Sequence, residues 1–473
     1  MIGLLTGIGF FLLLIILPPP EGLALPAWRV AAVAALLATF WLTEAIPLAV
    51  TSLLPIVLFP MLGVASVEVA TAPYANPIVF LFLGGFVLAL AIERWNLHRR
   101  IALTVLSKVG SQENLQIAGF MLATGLLSMW VSNTATVALM LPVALSVVPR
   151  DANGRVAPGK ENFATALMLG IAYGASSAGI STLIGTPPNA FLAGFMRDTY
   201  DIEIGFAQWM LFGVPISCLM GFLSWILLTR WLHPVGRTHV PGASAKIKDQ
   251  LQALGAASAA EKRVAVVFAT TALLWIARPV LMSAWPWLQL SDTTIAIMAA
   301  VVLFVIPNGQ QEGHFLLDWP YAERLPWGVL LLFGGGLSLA AAVANTGLAA
   351  WIGNELADLY TWPILLLIMA VAVLIIFLTE LTSNIATAAT FLPIVAALSV
   401  SLDQSPLMLA IPAALASSFA FMLPVATPPN AIVFASGHIS IQQMVKAGFW
   451  LNLIGIGVIT LAVTLLLGPV FGL

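Results

Sequence analysis

Ser132-Asn133-Thr134-Ala135-Thr136 stands in the first half of this chain, and Ser383-Asn384-Ile385-Ala386-Thr387 repeats the phrase in the second half. A second phrase follows each copy, first as Thr186-Pro187-Pro188-Asn189-Ala190 and then as Thr427-Pro428-Pro429-Asn430-Ala431. The first pair is 251 positions apart and the second pair is 241 apart. A longer polar loop at residues 150–161 of the first half explains the difference. The repeat therefore predicts two related halves.

Composition places these halves in a membrane. Of the 473 residues, 60% are apolar and only 8% are charged, whereas soluble domains carry about a quarter charged residues. We therefore predict an all-α polytopic membrane protein with about eleven transmembrane helices, at roughly 20 residues per crossing. The net charge of −2 gives no support for nucleic-acid binding. The lone Cys218 can form no disulfide within the chain.

The arrangement of basic residues predicts how the chain is threaded. Thirteen of the eighteen Lys and Arg residues fall within 94–108, 150–160 and 230–263. These segments share one side only if residues 115–148 dip into the membrane and return as a re-entrant hairpin, and residues 362–400 are predicted to form a second hairpin. The positive-inside rule makes the basic side cytoplasmic, together with the amino terminus. The plan is an inverted repeat, residues 1–231 and 263–473, joined by a cytoplasmic linker, residues 232–262.

The repeated phrases carry the chemistry of a site inside the membrane. A hairpin tip frees backbone groups, and Ser, Asn and Thr side chains add oxygens that suit sodium and donors that suit an anion. The double prolines break a helix and free nearby carbonyls, among them those of Gly185 and Ala426. Such interrupted helices in two halves are typical of secondary transporters. Residues 114–149, 162–196, 381–402 and 404–445 contain no Asp, Glu, Lys or Arg, so sodium would have to neutralise an anionic substrate.

The chain resembles the divalent anion/sodium symporter family, solute carrier family 13 in animals. The resemblance rests on both pairs of phrases, on Thr43-Glu44-Ala45-Ile46-Pro47, and on the run from Ala416-Ser417-Ser418-Phe419 to Asn430-Ala431-Ile432-Val433. It implies sodium-coupled uptake of dicarboxylates, tricarboxylates or sulfate through the plasma membrane. It also implies a homodimer in the lipid bilayer, in which a transport domain moves against a scaffold domain as an elevator.

The phrases and the resemblance together select two sets of residues. The candidate sodium ligands are Ser128, Ser132, Asn133, Gly185, Thr379, Asn384 and Ala426. The candidate substrate contacts are Ser132, Asn133, Thr134, Pro188, Ser383, Asn384, Ile385 and Pro429. The favoured function is a sodium symporter for a small divalent anion, a C4-dicarboxylate such as succinate.

Several alternatives stay open at this point. Ile385 stands where dicarboxylate members usually have threonine, and a lost hydroxyl would cost about 1–3 kcal/mol, which leaves sulfate transport or dicarboxylate exchange as alternatives. No nucleophile–base pair or metal cluster is visible, so we predict that the chain is not an enzyme. Three carboxylates, Glu44, Glu93 and Glu380, lie in or beside apolar segments, where charge is functional by default. Glu380 suits proton coupling, an outer shell of a sodium site, or a structural role.

Overall fold

The computed structural model describes residues 2–236, 238–285, 287–310, 313–355 and 361–473. Within these ranges the chain folds into 23 α-helices, and it contains isolated β-bridges but no β-strand. The prediction of an all-α fold is therefore confirmed. Seven of the helices are long and apolar enough to cross a membrane, and several shorter apolar helices accompany them. The predicted total of about eleven crossings stays a prediction.

The first half contains twelve helices. The first five are α1 (Ile2–Ile16), α2 (Leu25–Thr43), α3 (Leu48–Thr51), α4 (Leu54–Met61) and α5 (Val67–Thr71). The next seven are α6 (Pro77–Arg94), α7 (Leu97–Ser107), α8 (Glu113–Ser128), α9 (Asn133–Val147), α10 (Glu161–Gly179), α11 (Pro187–Tyr200) and α12 (Phe206–Ile226).

The remaining helices include one in the linker. They are α13 (Ala243–Ala253), α14 (Ala259–Ala284), α15 (Asp292–Val305), α16 (Trp319–Ala322), α17 (Trp327–Asn345), α18 (Leu348–Glu355), α19 (Ile364–Thr379), α20 (Asn384–Ser401), α21 (Leu407–Ser417), α22 (Pro428–Phe434) and α23 (Ile441–Phe471).

The order of elements from α6 to α12 recurs from α17 to α23. Each series has a glycine-containing helix, a short helix, a helix–turn–helix pair, a helix interrupted before Pro-Pro, and a final helix. The glycines allow close packing, because a Cβ on Gly84 would lie 2.6 Å from the backbone carbon of Ala296. The doubling of the phrases therefore corresponds to a doubling of the helical order.

Local sequence explains where the helices after the first hairpin turn and after the two helix breaks begin. The Ser132 hydroxyl accepts a hydrogen bond of 3.2 Å from the backbone N–H of Ala135, which caps the start of α9. Thr427 caps α22 in the same way, through a bond of 3.3 Å from the N–H of Asn430. Pro187 and Pro428 open α11 and α22, where a missing N–H costs nothing. The polar phrases are thus helix starts.

Two segments between the long helices have short helices of their own. Residues 48–61 form α3 and α4, with Pro55 in the first turn of α4, Pro60 near its end, and Gly63 at a φ of 65° just beyond it. The linker at residues 232–262 contains α13, which packs on α7 and α9. Its Ala243 and Ile247 are buried. Arg237 of the linker lies outside the described residues.

Candidate functional site

Both hairpin turns, the second helix break and the two flanks of the first break line one cavity of about 1000 Å³. Most of the wall is made of the predicted polar phrases and their neighbours, namely Ser132, Asn133, Thr134, Leu381, Thr382, Ser383, Asn384, Ile385, Pro424, Val425, Ala426, Thr427, Pro428, Pro429 and Ala431, with Ser176 and Pro187. The rest is made of residues from the end of α2, from α6 and from the start of α17, namely Leu42, Thr43, Glu44, Phe86, Pro326 and Val329. The two copies of the repeat therefore meet at one place.

The first turn gathers oxygen atoms around Asn133. The hydroxyl of Ser128, fully buried, donates to Oδ1 of Asn133 at 2.6 Å. A Cβ on Gly179 would lie 2.9 Å from Oδ1 and 3.0 Å from Nδ2 of Asn133, and 3.2 Å from the carbonyl oxygen of Gly185, so the Asn133 amide and this carbonyl both border Gly179. The oxygens of Ser128, Asn133 and Gly185 thus lie together at the end of α10, and hard cations prefer such oxygen sets.

The second turn repeats this arrangement around Asn384. The hydroxyl of Thr379 lies 3.0 Å from Asn384 Oδ1 and 3.0 Å from the carbonyl oxygen of Ser417, the last residue of α21. Thr379 is fully buried, while Ala426 lines the cavity. Thr382 and Thr387 share a further bond of 2.7 Å between their hydroxyls. The second copy therefore also joins a hairpin turn to a broken helix through side-chain oxygens.

Helix N-termini supply positive electrostatic potential at the cavity wall. The helices α9, α11, α20 and α22 all begin at its wall, and each helix start carries about half a positive charge. Among the described residues that line the cavity, one is ionisable, Glu44 at the end of α2. Glu44 has a left-handed backbone with φ of 47°. The wall can therefore bind an anion through amides and hydroxyls, without a cationic side chain.

Most of the predicted site residues lie together. The cavity wall contains Ser132, Asn133, Thr134, Ser383, Asn384, Ile385, Ala426 and Pro429. Ser128 and Thr379 lie directly behind it, bonded to the two asparagines. Pro188 is buried away from the wall, and Pro187 takes the place predicted for it. The reason is that adjacent residues at the start of a helix point about 100° apart.

Sequence reasoning missed Ser176, which precedes the first helix break. Its hydroxyl is buried, lines the cavity and has no hydrogen-bond partner within the described residues. A signal was available, because Ser176-Ser177 matches Ser417-Ser418 at the same spacing of 241 that relates the Pro-Pro phrases. Thr186 also binds Ser418, with 3.3 Å between the two hydroxyl oxygens, which links the first half to the second.

Another cavity, of about 370 Å³, lies between α8, α10 and α12. Its lining is mostly apolar and includes Met121, Leu122, Phe222 and Trp225. It lacks the paired amides and helix starts of the first cavity, so we assign the candidate site to the cavity between the hairpin turns.

Comparison with known proteins places the chain in a family. The model of the sodium:sulfate symporter transmembrane region matches residues 1–473. The sodium-dependent dicarboxylate transporter SdcS of Staphylococcus saprophyticus is 44% identical over 480 residues, which cover 100% of this chain and 92% of that protein. SdcS of Staphylococcus aureus strain USA300 is 43% identical over the same length and shares.

Two solved transporters share the fold. The YdaH transporter of Alcanivorax borkumensis superposes with a TM-score of 0.61 at 15% identity, over 94% of this chain and 98% of the other. MtrF of Neisseria gonorrhoeae gives a TM-score of 0.56 at 15% identity, over 93% and 95%. Family and relatives are transporters, so the prediction that the chain is not an enzyme is confirmed. The chain therefore belongs to the sodium:sulfate symporter family, as its repeated phrases predicted, and is a multi-span membrane transporter.

Proposed function

We propose that this protein is a sodium-coupled symporter of small divalent anions, with C4-dicarboxylates such as succinate as substrates. The observation that carries the proposal is the convergence of Asn133 and Asn384, with four helix starts, on one cavity whose lining has no cationic side chain. The names of the two staphylococcal relatives, sodium-dependent dicarboxylate transporters, support both the ion and the substrate class.

The roles follow from the chemistry of the two turns. One sodium ion would bind Ser128, Ser132, Asn133 and Gly185, and another would bind Thr379, Asn384 and Ala426. The substrate would contact the remaining polar and proline positions of the wall, Thr134, Pro187, Ser383, Ile385 and Pro429, together with the two asparagines. Two bound cations neutralise a divalent anion in a site that lacks Lys and Arg. Anion transport would therefore require sodium.

Sulfate transport is the second candidate, and Ile385 is the observation that favours it. Ile385 is 7% exposed and lines the cavity beside Asn384. Its branched apolar side chain narrows the cavity and offers no hydrogen bond. Thr134, at the matching position of the first half, offers a hydroxyl. One end of the substrate would thus be held by fewer bonds than the other. A smaller anion needs fewer contacts on the Ile385 side.

Uptake into proteoliposomes tests the function directly. Purified protein is reconstituted, and uptake of radiolabelled succinate and of radiolabelled sulfate is measured with an inward sodium gradient or with choline in its place. We expect succinate uptake only with sodium. The variants Asn133→Ala and Asn384→Ala should abolish it, while Asn345→Ala, at an exposed asparagine at the end of α17, should retain it.

Other outcomes would change the proposal. Sulfate uptake in place of succinate uptake would make the protein a sulfate symporter. Uptake that needs a preloaded counter-anion and ignores sodium would make it an exchanger, and the two sodium sites would then be wrong.

We further propose that the two hairpins and the broken helices move as one body against α2, α6 and α17. The cavity lies between these two groups of helices, which is where an elevator would have its sliding surface. A Cβ on Gly85 of α6 would lie 3.5 Å from the Cβ of Ile184, and disulfides need about 3.5–4.5 Å between these atoms. The pair Gly85→Cys with Ile184→Cys, in a Cys218→Ser background, therefore tests the motion.

Oxidation of this pair should block succinate uptake, and a reductant should restore it. The control is each single cysteine variant, which oxidant should leave active. Transport that continues at full rate when the pair is cross-linked would overturn this division into moving and fixed parts.

Dimerisation, location and orientation remain part of the proposal. The family resemblance implies a homodimer in the plasma membrane, and light scattering on the purified protein would give the mass of the assembly. By the positive-inside rule, the basic loops support a cytoplasmic amino terminus. A single cysteine introduced at the exposed residue Ile2 in a Cys218→Ser background should then react with a membrane-impermeant maleimide only after cells are opened.

A further inference from the structure

Glu380 is a buried carboxylate that the proposed sodium and substrate sites do not use. It is 3% exposed and caps the end of α19, directly before the second hairpin turn. Oε1 accepts hydrogen bonds from the N–H groups of Phe421 at 2.7 Å and Met422 at 2.9 Å, and from the side-chain amide of Asn452 at 2.8 Å. Oε2 accepts from the N–H groups of Met422 at 3.0 Å and Leu423 at 3.1 Å.

The three backbone donors are consecutive, in the segment that interrupts the helix between α21 and α22. Consecutive N–H groups in irregular backbone form a concave anion-binding site, and a buried N–H without a partner costs about 1–3 kcal/mol. Glu380 supplies the anion for this site from within the chain. Each of its bonded partners is a donor, and an ionised carboxylate is an acceptor only. The geometry thus fits an ionised carboxylate at Glu380.

The opposite side of the same segment is held by other elements. The amide of Asn430 donates to the carbonyl oxygen of Leu423 at 3.0 Å. The hydroxyl of Tyr173, from the first half, donates to the carbonyl oxygen of Phe421 at 2.9 Å. A Cβ on Gly448 of α23 would lie 2.3 Å from the carbonyl of Phe421, so the helix leaves no room for the segment to retreat. Carbonyls are fixed on one side, and Glu380 fixes the amides on the other.

The same carboxylate links two parts of the proposed second sodium site. Thr379, the preceding residue, contacts Asn384 Oδ1 and the carbonyl of Ser417. Ala426 follows the clamped segment by three residues. A shift of the segment relative to the hairpin turn would therefore change the distances between Thr379, Asn384 and Ala426.

We propose that Glu380 is a positioning residue, whose bonds to residues 421–423 hold the second hairpin turn against the second helix break and thereby set sodium affinity at the second site. The inference rests on the proposed function, because it assigns a role within sodium coupling. The matching position of the first half is Met129, which cannot act in this way. The carboxylate bond between hairpin turn and helix break therefore occurs only in the second copy of the repeat.

The test compares Glu380→Gln with wild type in proteoliposomes. Gln keeps the size but turns an NH₂ donor toward N–H donors, so we expect the half-saturating sodium concentration to rise about tenfold or more, with the maximal succinate uptake rate within about twofold of wild type. Glu380→Asp keeps the charge and should restore part of the sodium affinity. Asn452→Leu removes one donor and leaves the three backbone N–H donors, so the half-saturating sodium concentration should rise about threefold.

The matched control is Glu93→Gln, which removes another carboxylate from an apolar helix and should leave the sodium dependence unchanged. A second measurement, the rise of Tm with sodium in detergent against a choline background, reports sodium binding without transport. This measurement distinguishes a failure of the proposed function from a failure of the inference about Glu380. Wild type that binds sodium but shows no sodium-dependent uptake contradicts the proposed function, and the Tm titrations of the variants then decide the inference.

The inference is overturned if Glu380→Gln has the sodium midpoint of wild type by both measurements, or if sodium has no effect on wild type in either. It is also overturned if Glu380→Gln removes a pH dependence that wild-type uptake shows near neutral pH, because Glu380 would then carry a proton. Should Glu380→Gln fail to fold, Glu380→Asp and Asn452→Leu decide the matter: unchanged midpoints in both would contradict the role.

Discussion

The two helix breaks, residues 179–185 and residues 420–426, share a backbone plan and differ in what sustains it. In both, the asparagine of the Pro-Pro-Asn phrase is fully buried and donates to two carbonyls of the break. These include the carbonyl of Thr182, 2.8 Å from Asn189, and that of Leu423, 3.0 Å from Asn430. The asparagine thus closes each break from within.

The difference lies in how each break is tied to its hairpin. In the first, the Thr182 hydroxyl donates to the carbonyl oxygen of Met129 at 2.6 Å and accepts from the N–H of Gly185 at 3.0 Å. In the second, the matching residues are Leu423 and Glu380, and the bond runs from the backbone of Leu423 to the carboxylate. The same two positions are joined in each copy, by a neutral hydroxyl in one and by a charge in the other.

Packing differs in the same places. The first break has glycine at both ends, and a Cβ on Gly185 would lie 2.3 Å from the carbonyl oxygen of Gly179. The second has alanine at both ends, Ala420 and Ala426. The first break is therefore closed tightly by backbone contact, whereas the second accommodates alanine at both ends and is held by a carboxylate. The two copies share the same backbone geometry, but different side chains stabilise it in each copy.

The largest effect should come from Gly185→Ala. The added methyl group meets fixed backbone, not a flexible side chain, and such overpacking costs about 1–3 kcal/mol. Because the Gly185 carbonyl belongs to the proposed first sodium site, we expect the half-saturating sodium concentration of succinate uptake to rise about tenfold or more. Wild-type sodium dependence in this variant would contradict the tight closure of the first break.

Thr182→Val should have the next largest effect. Valine keeps the shape but leaves the Met129 carbonyl and the Gly185 N–H without their bonds, at a cost of about 1–3 kcal/mol. We expect a rise of about tenfold in half-saturating sodium, measured as above. The control is Thr271→Val, because Thr271 is also buried but its hydroxyl bonds only the carbonyl of Val267 in its own helix. Equal effects of both substitutions would remove the special role of Thr182.

Ile385→Thr should have a smaller effect, confined to selectivity. It restores a hydroxyl at the cavity wall, and one hydrogen bond contributes about 0.5–1.5 kcal/mol. We expect the ratio of succinate affinity to sulfate affinity to rise about threefold to tenfold. The converse variant, Thr134→Ile, should lower it. Uptake competition between the two anions gives the measurement, and an unchanged ratio in Ile385→Thr would show that this position does not select the substrate.

The smallest effect should come from Ala426→Gly, the counterpart of Gly185→Ala. Glycine is smaller than the alanine that the second break already accommodates, so the cost is the added backbone freedom of the unfolded chain, about 0.4–1 kcal/mol. We expect sodium dependence within about twofold of wild type and a small fall in Tm. A loss of uptake as severe as that of Gly185→Ala would mean that the two breaks are equally constrained.

Much of the site could be predicted from the repeat, because residues that occur twice in phase must serve a common geometry. The turns at Asn133 and Asn384, the oxygens of Ser128 and Thr379 behind them, and the breaks before Pro187 and Pro428 all follow from the phrases. Ser176 could also have been found, from the same spacing.

The partners of Glu380 could not be predicted, since the groups that bind it are backbone amides of Phe421, Met422 and Leu423, and amides have no signature in residue type. The choice between Pro187 and Pro188 depends on the direction in which a helix leaves its first turn. The position of Glu44 in the wall of the same cavity depends on packing between distant helices. Each of these features belongs to the tertiary structure.

The bond from Tyr173 to the carbonyl of Phe421 has a consequence for biosynthesis. Every residue of α10 from Phe163 to Gly179 is buried, and the hydroxyl of Tyr173 finds its acceptors in Phe421 and Met444. These residues are synthesised more than 240 positions later, so a nascent chain carries α10 in the bilayer with a polar group that lacks its final partner. The first half cannot mature on the ribosome by itself, and its last contacts form only when the carboxyl-terminal helices have been inserted.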